Sequence, residues 1–416
     1  MSKKVVIVGA GIVGLSTAYY LNKAGLDVTV IDGTDGTDNC SYGNAGYVSP
    51  SHIIPLASPG IINQGLKWML NKKSPFYIQP KLSRDLLTWG WLFKKASTNK
   101  RVKAAIPVLN ELTTKSQSLY EEIIAEEGIE AGYHKPGLLM ICQTKEALKH
   151  EIELAEIANQ FGLDANVVSK AETERLDPNV NYDMAGAVYF GCDGWMTPNV
   201  FMEKFKSLLI KRGIKLDFNT ELQAINTKGE KITEFITDKR NYQADDFVVA
   251  AGSWSPTLLQ WLKLKLPLQP GKGYSFTIKN PPVSPKLPSI LVEARVATTP
   301  TLDGFRVAGT MEITGLNHNI NERRVQGIID SVKTAIPEYQ SYNFDDVKPW
   351  AGLRPCTPDG LPYIGSTKTF KNLFVGTGHA MLGWTLGPIT GKLLTQNILG
   401  QSADIKSNLL NVDRYF

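Results

Sequence analysis

"KKVVIVGAGIVGLSTAYYLNKAGLDVTVID", residues 3–32, sets out a strand, a glycine turn, a helix and a second strand in that order. Lys3 and Lys4 lead into the apolar run Val5 to Val8, which meets Gly9. Gly11 and Gly14 follow, then a helical stretch, then Val28 to Ile31 and a terminal Asp32. Gly9 permits the tight turn, Gly11 lets backbone approach a pyrophosphate, and Gly14 lets the helix pack closely on the strand. The helix amino terminus adds free N–H groups and a positive dipole end for phosphate. Asp32, eighteen residues after Gly14, is spaced to accept hydrogen bonds from ribose hydroxyls. Glycine triplets alone are common in loops, but here every flanking element is in order, so the stretch reads as a dinucleotide site. The motif leaves NAD and FAD both open, and no second unit of this kind occurs.

Residues 5–21 of the same stretch carry no charge. The phosphate-loop glycines, and a length at the lower edge of the roughly 17 to 25 residues a membrane span needs, argue against a signal peptide or a span. The expectation is an unexported, cytoplasmic chain without a transmembrane helix. Its 416 residues, 43% apolar, suffice for two or three domains. Four cysteines (Cys40, Cys142, Cys192, Cys356) show no CxxC spacing and five histidines no HExxH. Neither a disulfide scaffold nor a metal site is expected. A net charge of +5 points to no nucleic acid partner.

That charge is unevenly placed. Between Ser51 and Lys103 stand ten Lys or Arg and one acid, Asp85, with Trp68, Trp89, Trp91 and Phe93 interleaved. Rings and lysines mixed in this way suit an anionic bilayer surface. The same pattern fits two ordinary helices with buried apolar faces, and the sequence leaves both readings standing. If the first holds, residues 52–103 make a peripheral contact with the inner face of the cytoplasmic membrane.

Further along, helices are expected over Lys145 to Gln160 and Asn199 to Arg212, and a buried strand from Phe247 to Ala251 runs into Gly252. A last strand, Leu373 to Val375, meets Gly376, Gly378 and Gly383 before a helix over Thr385 to Leu399. Glycines at three strand ends far apart in sequence suggest one long shared ligand, which fits FAD better than NAD. Residues 264–345 alternate strands and turns, as an antiparallel sheet does. The fold class expected is therefore α/β, a Rossmann-like FAD-binding domain (1–50, 146–263 and 346–416) with an inserted α+β substrate domain (51–145 and 264–345).

"WAGLRPCTPDGLPYIG", residues 350–365, holds Arg354 in a loop stiffened by Pro355, Pro358 and Pro362. Together with GAGIVG, "CSYGNAGYVSPSHIIPLASPG" and "GTGHAMLGWTLGP", it resembles the FAD-dependent amine and amino-acid oxidoreductases of the D-amino-acid oxidase superfamily. The likeness spans nearly the whole chain. "NAGYVSP", "GKGYSFTI" and "GHAMLGWT" look most like bacterial D-amino-acid dehydrogenases.

What the resemblance implies is specific. Arg354 stands where the family grips the substrate carboxylate. FAD is expected to be non-covalent, because Gly352 occupies the position at which sarcosine oxidases tether it through a cysteine. The cofactor-binding residues would be Gly9, Gly11, Ile12, Val13, Gly14 and Asp32; Ser41, Asn44, Ala45 and Gly46; Leu222 and Gly252; and Gly378, His379, Leu382, Gly383, Trp384 and Thr385. Met381 stands where glycine oxidases carry an arginine, which favours a bulkier or more apolar substrate than glycine.

His379 is expected to donate to the flavin head, and His52 to lie near substrate. Tyr274 either offers its hydroxyl there or is a core aromatic. Thr310 and Glu312 share a strand face by alternation. The reaction implied is oxidative deamination of a D-amino acid to a 2-oxo acid and ammonia, with quinone or oxygen as acceptor. Oxidation of a secondary amine such as D-proline, hydroxyproline or sarcosine, and an electron-transfer subunit of a larger amine-oxidising complex, are the other readings.

Overall fold

The computed structural model describes residues 2–69, 74–80 and 83–415. Its organising element is the strand Lys4–Val8, which pairs in parallel with Asp27–Ile31 on one side and Asp246–Val249 on the other. Leu373–Thr377 and Lys215–Asp217 extend the sheet in parallel, and Tyr363–Ser366 closes one edge antiparallel. Both faces are covered, as parallel sheets require. Val5 and Ile7 face the helices Ile12–Lys23 and Gly387–Ile398, while Val6 and Val8 face Phe235 and Ile232 of a three-stranded meander. The two helices touch backbone to backbone: a Cβ on Gly391 would lie 2.5 Å from the carbonyl carbon of Ser16.

A larger sheet of nine strands forms the second layer system. Its path runs Trp350–Cys356, Gln269–Ile278, Gly304–Ile313, Val296–Thr301, Ser289–Leu291, Leu138–Cys142, Gly186–Phe190 and Ala165–Val168, with Phe76–Ile78 beside Gly304–Ile313. The 264–345 region is antiparallel among its own strands.

Two parts of the expected domain division differ. The sequence places residues 146–263 wholly in the nucleotide domain, yet Ala165–Val168 and Gly186–Phe190 extend the large sheet. Trp350–Cys356, assigned to the nucleotide domain as part of a stiff loop, is that sheet's edge strand as far as Cys356. The reason is physical. Short apolar strands flanking a helix carry no mark of which sheet they join, because periodicity encodes a face and not a partner.

Helices form at Lys145–Gln160 and Pro198–Lys211, close to the expected spans. The basic, aromatic segment folds as Ile61–Met69 and Arg84–Ala96, while Lys72, Lys73 and Lys81 of that segment lie outside the described residues. Among the described residues no helix is long and apolar enough to cross a membrane.

Candidate functional site

Gly9 has φ 108°, and a Cβ there would lie 2.4 Å from the Ala250 carbonyl oxygen, so two strand ends meet at a point only glycine can occupy. Ile12 N–H, at the start of the first helix, donates to Ser41 Oγ (2.9 Å). Asp32 is fixed by three donors: Ala10 N–H (2.7 Å), Thr34 N–H (2.9 Å) and the Thr34 hydroxyl (2.6 Å). Oδ1 takes both Thr34 donors and Oδ2 only the Ala10 N–H, so Oδ2 keeps accepting capacity for a further hydroxyl.

The loop that carries Ser41 to Gly46 is pinned from the other sheet. Arg306, 6% exposed, donates to the carbonyls of Tyr42 (3.0 Å) and Asn44 (3.1 Å); Thr299 hydroxyl donates to Ala45 (2.7 Å) and Ser275 hydroxyl to Gly43 (2.6 Å). None of these three clamping residues was expected from sequence. A buried arginine bonded to main-chain carbonyls leaves no spacing motif to read.

One cavity of about 1970 Å³ runs past Gly9, Gly11, Ile12, Val13, Asp32, Ser41, Asn44, Ala45, Gly46, Leu222 and Gly252, and on to His379, Leu382, Gly383, Trp384 and Thr385. Gly14 and Gly378 stand behind its wall. A Cβ on Gly14 would lie 1.9 Å from the Gly9 carbonyl oxygen, and one on Gly378 2.5 Å from Thr357 Cγ2, so both serve close packing. Thr377 hydroxyl donates to the Gly252 carbonyl (2.8 Å) and Thr385 hydroxyl to that of Tyr47 (2.9 Å), which ties the carboxyl-terminal turn to the Gly252 strand end and to the segment after Gly46. A long groove with a carboxylate at one end and side-chain-free backbone along it fits an adenine dinucleotide of flavin.

Arg354 faces the same cavity, half-buried. Its Nη1 donates to the Thr310 carbonyl (2.8 Å), and among the described residues no carboxylate pairs with it. Burial pushes its pKa down from the usual guanidinium value, which still leaves it charged. Gly273 makes room on the facing strand, where a Cβ would lie 2.0 Å from Nη1. Gly273→Ala should therefore raise KM by about tenfold or more while bound flavin stays at wild-type content, since small misplacements of a substrate clamp are costly. An unchanged KM would show that the guanidinium sits elsewhere during turnover. Burial also pushes up the thiols of Cys40 and Cys356, the latter to about 12, so neither is a ready nucleophile.

Three site residues stand otherwise than expected, and so does one strand face. Tyr274 is paired with Ala351, whereas Arg354 is paired with Gly271, so the two side chains leave opposite faces. The Tyr274 hydroxyl donates to Glu312 Oε2 inside a buried cluster with Lys272 and Arg324, away from Arg354. Nor do Thr310 and Glu312 share a face. Thr310 has φ 68°, and the pairing of its strand slips between Lys272 and Tyr274, a bulge that breaks the alternation.

His52 is the second change. Its Nδ1 meets Ser51 Oγ (3.1 Å) and its electrostatic neighbours are Asp193 and Arg295, at the end of the large sheet remote from Arg354. His379 is the third. It is 3% exposed with Nε2 against the Thr390 hydroxyl (2.9 Å), so that nitrogen is engaged inside the protein and not with the cavity.

Burial holds His379 down at about 3, against an ordinary 6.5. Between those values the unfolded chain binds a proton that the folded chain does not. Stability contributed by the neutral ring is thus lost as pH falls from 6.5 towards 3, by about 1.4 kcal/mol per pH unit. The wild type should lose more melting temperature than His379→Asn between pH 7 and pH 5; equal losses would contradict the buried neutral ring. Among the described residues no cluster of three His, Cys, Asp or Glu could hold a metal ion.

A family model described as FAD dependent oxidoreductase matches residues 4–397. Among known proteins the chain is 33% identical to a D-amino acid dehydrogenase of Vibrio vulnificus over 415 residues, 98% of each chain. It is 32% identical to one of Granulibacter bethesdensis over 427 residues, 99% of each. Among solved structures, glycine oxidase from Geobacillus kaustophilus superposes with a TM-score of 0.79 at 20% identity over 100% of both chains. L-proline dehydrogenase from P. horikoshii superposes with 0.75 at 18% identity, over 100% of this chain and 98% of the other.

Proposed function

The chain belongs to the family of FAD-dependent oxidoreductases, and on that premise we propose that it oxidises D-amino acids to 2-oxo acids and ammonia, passing the electrons to a quinone. The observation that carries the substrate reading is Arg354, a half-buried cation with no anionic partner among the described residues, held by the Thr310 carbonyl at the edge of the cavity. FAD, when bound, supplies a hydride acceptor for the substrate Cα. The chain supplies position. A guanidinium fork takes a carboxylate bidentately and so fixes the Cα that must face the cofactor. Gly273 keeps the facing strand out of the way, and Met311 and Met381 offer apolar wall for a side chain. No acid–base histidine is needed, because water hydrolyses the imino acid after hydride loss. The preference for the D series is supported by the names of the relatives at 32–33% identity.

An anaerobic titration of the purified holoenzyme with D- and L-amino acids and N-methyl amines tests this. Bleaching of the flavin band by D-amino acids is the expected result. A band untouched by all of them would remove the amino-acid reading of Arg354.

A peripheral membrane contact belongs to the same reading. On Arg84–Ala96, Trp89 is buried with its Nε1–H donating to the Cys356 carbonyl (2.9 Å). Leu87 and Trp91 point outward, 62% and 55% exposed, and Leu66 of Ile61–Met69 is 59% exposed. Lys95 Nζ lies 3.5 Å from the Trp91 ring centroid, a ring and cation suited to headgroup depth. The protein should sediment with phosphatidylglycerol vesicles and not with phosphatidylcholine, and Leu87→Ser with Trp91→Ser should abolish it. Sedimentation unaffected by either change would move the contact elsewhere.

A further inference from the structure

The strand Gly304–Ile313 is irregular where it meets Arg354. Its register with Gln269–Ile278 passes from Gly309 opposite Tyr274 to Glu312 opposite Lys272, so Thr310 and Met311 together stand against the single Gly273. Thr310 sits at φ 68° and is 6% exposed. A β-branched residue in that region is a genuine outlier, and such strain persists only where the surroundings over-determine it.

Both flanks are fixed. Before the bulge, Gly309 lies against the helix Glu322–Ala335, where a Cβ would be 3.1 Å from Ile328 Cγ1. Beyond it, Glu312 is 1% exposed and is held by the Tyr274 hydroxyl, by Asn321 Nδ2–H (3.1 Å) and by Arg324 Nε (2.6 Å). The buried cluster on the face away from Arg354 thus has a use on the other face. It fixes the bulge whose carbonyl, that of Thr310, accepts from Arg354 Nη1 (2.8 Å).

That carbonyl has capacity beyond the guanidinium. A carbonyl oxygen has two lone pairs, Arg354 takes one, and Thr310 lines the cavity. Arg354 keeps further N–H groups for a carboxylate. Donor and acceptor therefore stand one hydrogen bond apart, which suits an α-amino acid, whose carboxylate and amino group are on adjacent carbons. The wall beside them offers an amine nothing. Gly271, paired with Arg354, has Cys356 Sγ and Met311 Cγ at 2.8 and 3.3 Å from where its Cβ would stand, and Cys356 packs with Ile313, Ala380 and Trp89. An N–H drawn in beside the carboxylate without an acceptor would lose its hydration uncompensated.

We propose that the Thr310 carbonyl binds the amino group of the substrate while it holds Arg354, so that one bulged residue serves both halves of an α-amino acid. This rests on the proposed function, in which Arg354 takes the carboxylate. The contact strengthens during the reaction. The Cα–H bond breaks with its electron pair passing to the flavin, the nitrogen lone pair becomes the second bond to Cα, and positive charge gathers on the N–H groups. One proton then leaves to water and the imine is hydrolysed. A carbonyl dipole already aimed at that nitrogen favours the charged state over the neutral amine.

The test uses two ligands without a Cα–H, which leave the flavin oxidised: 2-aminoisobutyrate, and pivalate, in which a methyl replaces the amino group. Binding to the purified holoenzyme is read from the perturbation of the visible flavin band. The wild type should bind the amino ligand more tightly, by about tenfold or more. Deleting Thr310 returns the ladder to one residue against one and should bring that ratio close to one. Anaerobic bleaching by saturating D-amino acid should slow by about tenfold or more in the same variant. Thr310→Gly, which adopts the same φ without strain, should keep the wild-type ratio. Thr310→Pro, whose ring holds φ at about −65°, stands in if the deletion does not retain flavin.

A wild-type ratio at or below one, a ratio that the deletion or the proline leaves untouched, or a ratio lost in Thr310→Gly overturns the assignment and leaves the proposed function intact. If neither ligand nor any amino acid perturbs the band, Arg354 loses its substrate reading and the assignment falls with it.

Discussion

Arg354→Met should lower kcat/KM for D-amino acids by about 10²-fold or more, because two charge-assisted hydrogen bonds at about 1.5 to 3 kcal/mol each are lost with the guanidinium. Methionine keeps much of the stem and fills similar space. The residue has no carboxylate partner among the described residues, so its removal orphans only the carbonyl of Thr310, a residue that lines the cavity. Flavin content and melting temperature should thus stay near wild type. Arg354→Lys should recover little, since a point charge cannot hold a carboxylate at two atoms. Steady-state kinetics with simple amines lacking a carboxylate supply the contrast: those substrates, however poor, should not distinguish the variant from the wild type. An equal loss on amines and amino acids would make the arginine a structural residue.

Gly9→Val should yield protein purified without flavin. Two independent costs meet at that position. The backbone stands at φ 108°, outside the region an L side chain adopts, and a Cβ would lie 2.4 Å from the Ala250 carbonyl oxygen. Ala250 follows the strand Asp246–Val249, so relief would have to part the two central strands of the nucleotide sheet. The measurement is the ratio of visible to near-ultraviolet absorbance after purification, together with a thermal melt. A yellow variant with unchanged stability would mean that the turn can relax in a way the packing argues against. Gly11→Ala is the useful comparison, because its Cβ would meet Ser41 Oγ at 3.4 Å, an ordinary contact, so it should keep the wild-type melting temperature even as the Cβ facing the pyrophosphate lowers flavin content.

The difference between those two glycines shows what sequence could and could not convey. The order of strand, turn, helix and acid over residues 3–32 was legible because each local preference agreed with the next, and all of it appears in the nucleotide sheet. Which glycine suffers most from a side chain was not legible, since the answer is the position of Ala250, far along the chain. Arg354 was legible as a candidate through its motif, whereas its neighbour Tyr274 was not. Strand alternation tells two faces apart only while the ladder is regular, and the left-handed Thr310 breaks it. Sheet membership of 165–190 was hidden for a similar reason, as apolar strands of four or five residues carry no record of their partner. The burial of Glu151 was invisible altogether, since one acid on a helix with many others has nothing to mark it until packing does.

The clamp on the loop from Ser41 to Gly46 bears on how the protein moves. Arg306, Thr299 and Ser275 reach from the large sheet to four carbonyls of a segment that also caps the first nucleotide helix. Tyr47, just beyond, donates to the carbonyls of Ser289 and Thr298. A hinge that opened one layer system against the other would have to break these bonds together. Breathing between the two halves is thereby an expensive route for ligand exchange, and the turnover clock falls to smaller excursions of side chains and loops at the cavity mouth, which cost little and recur quickly.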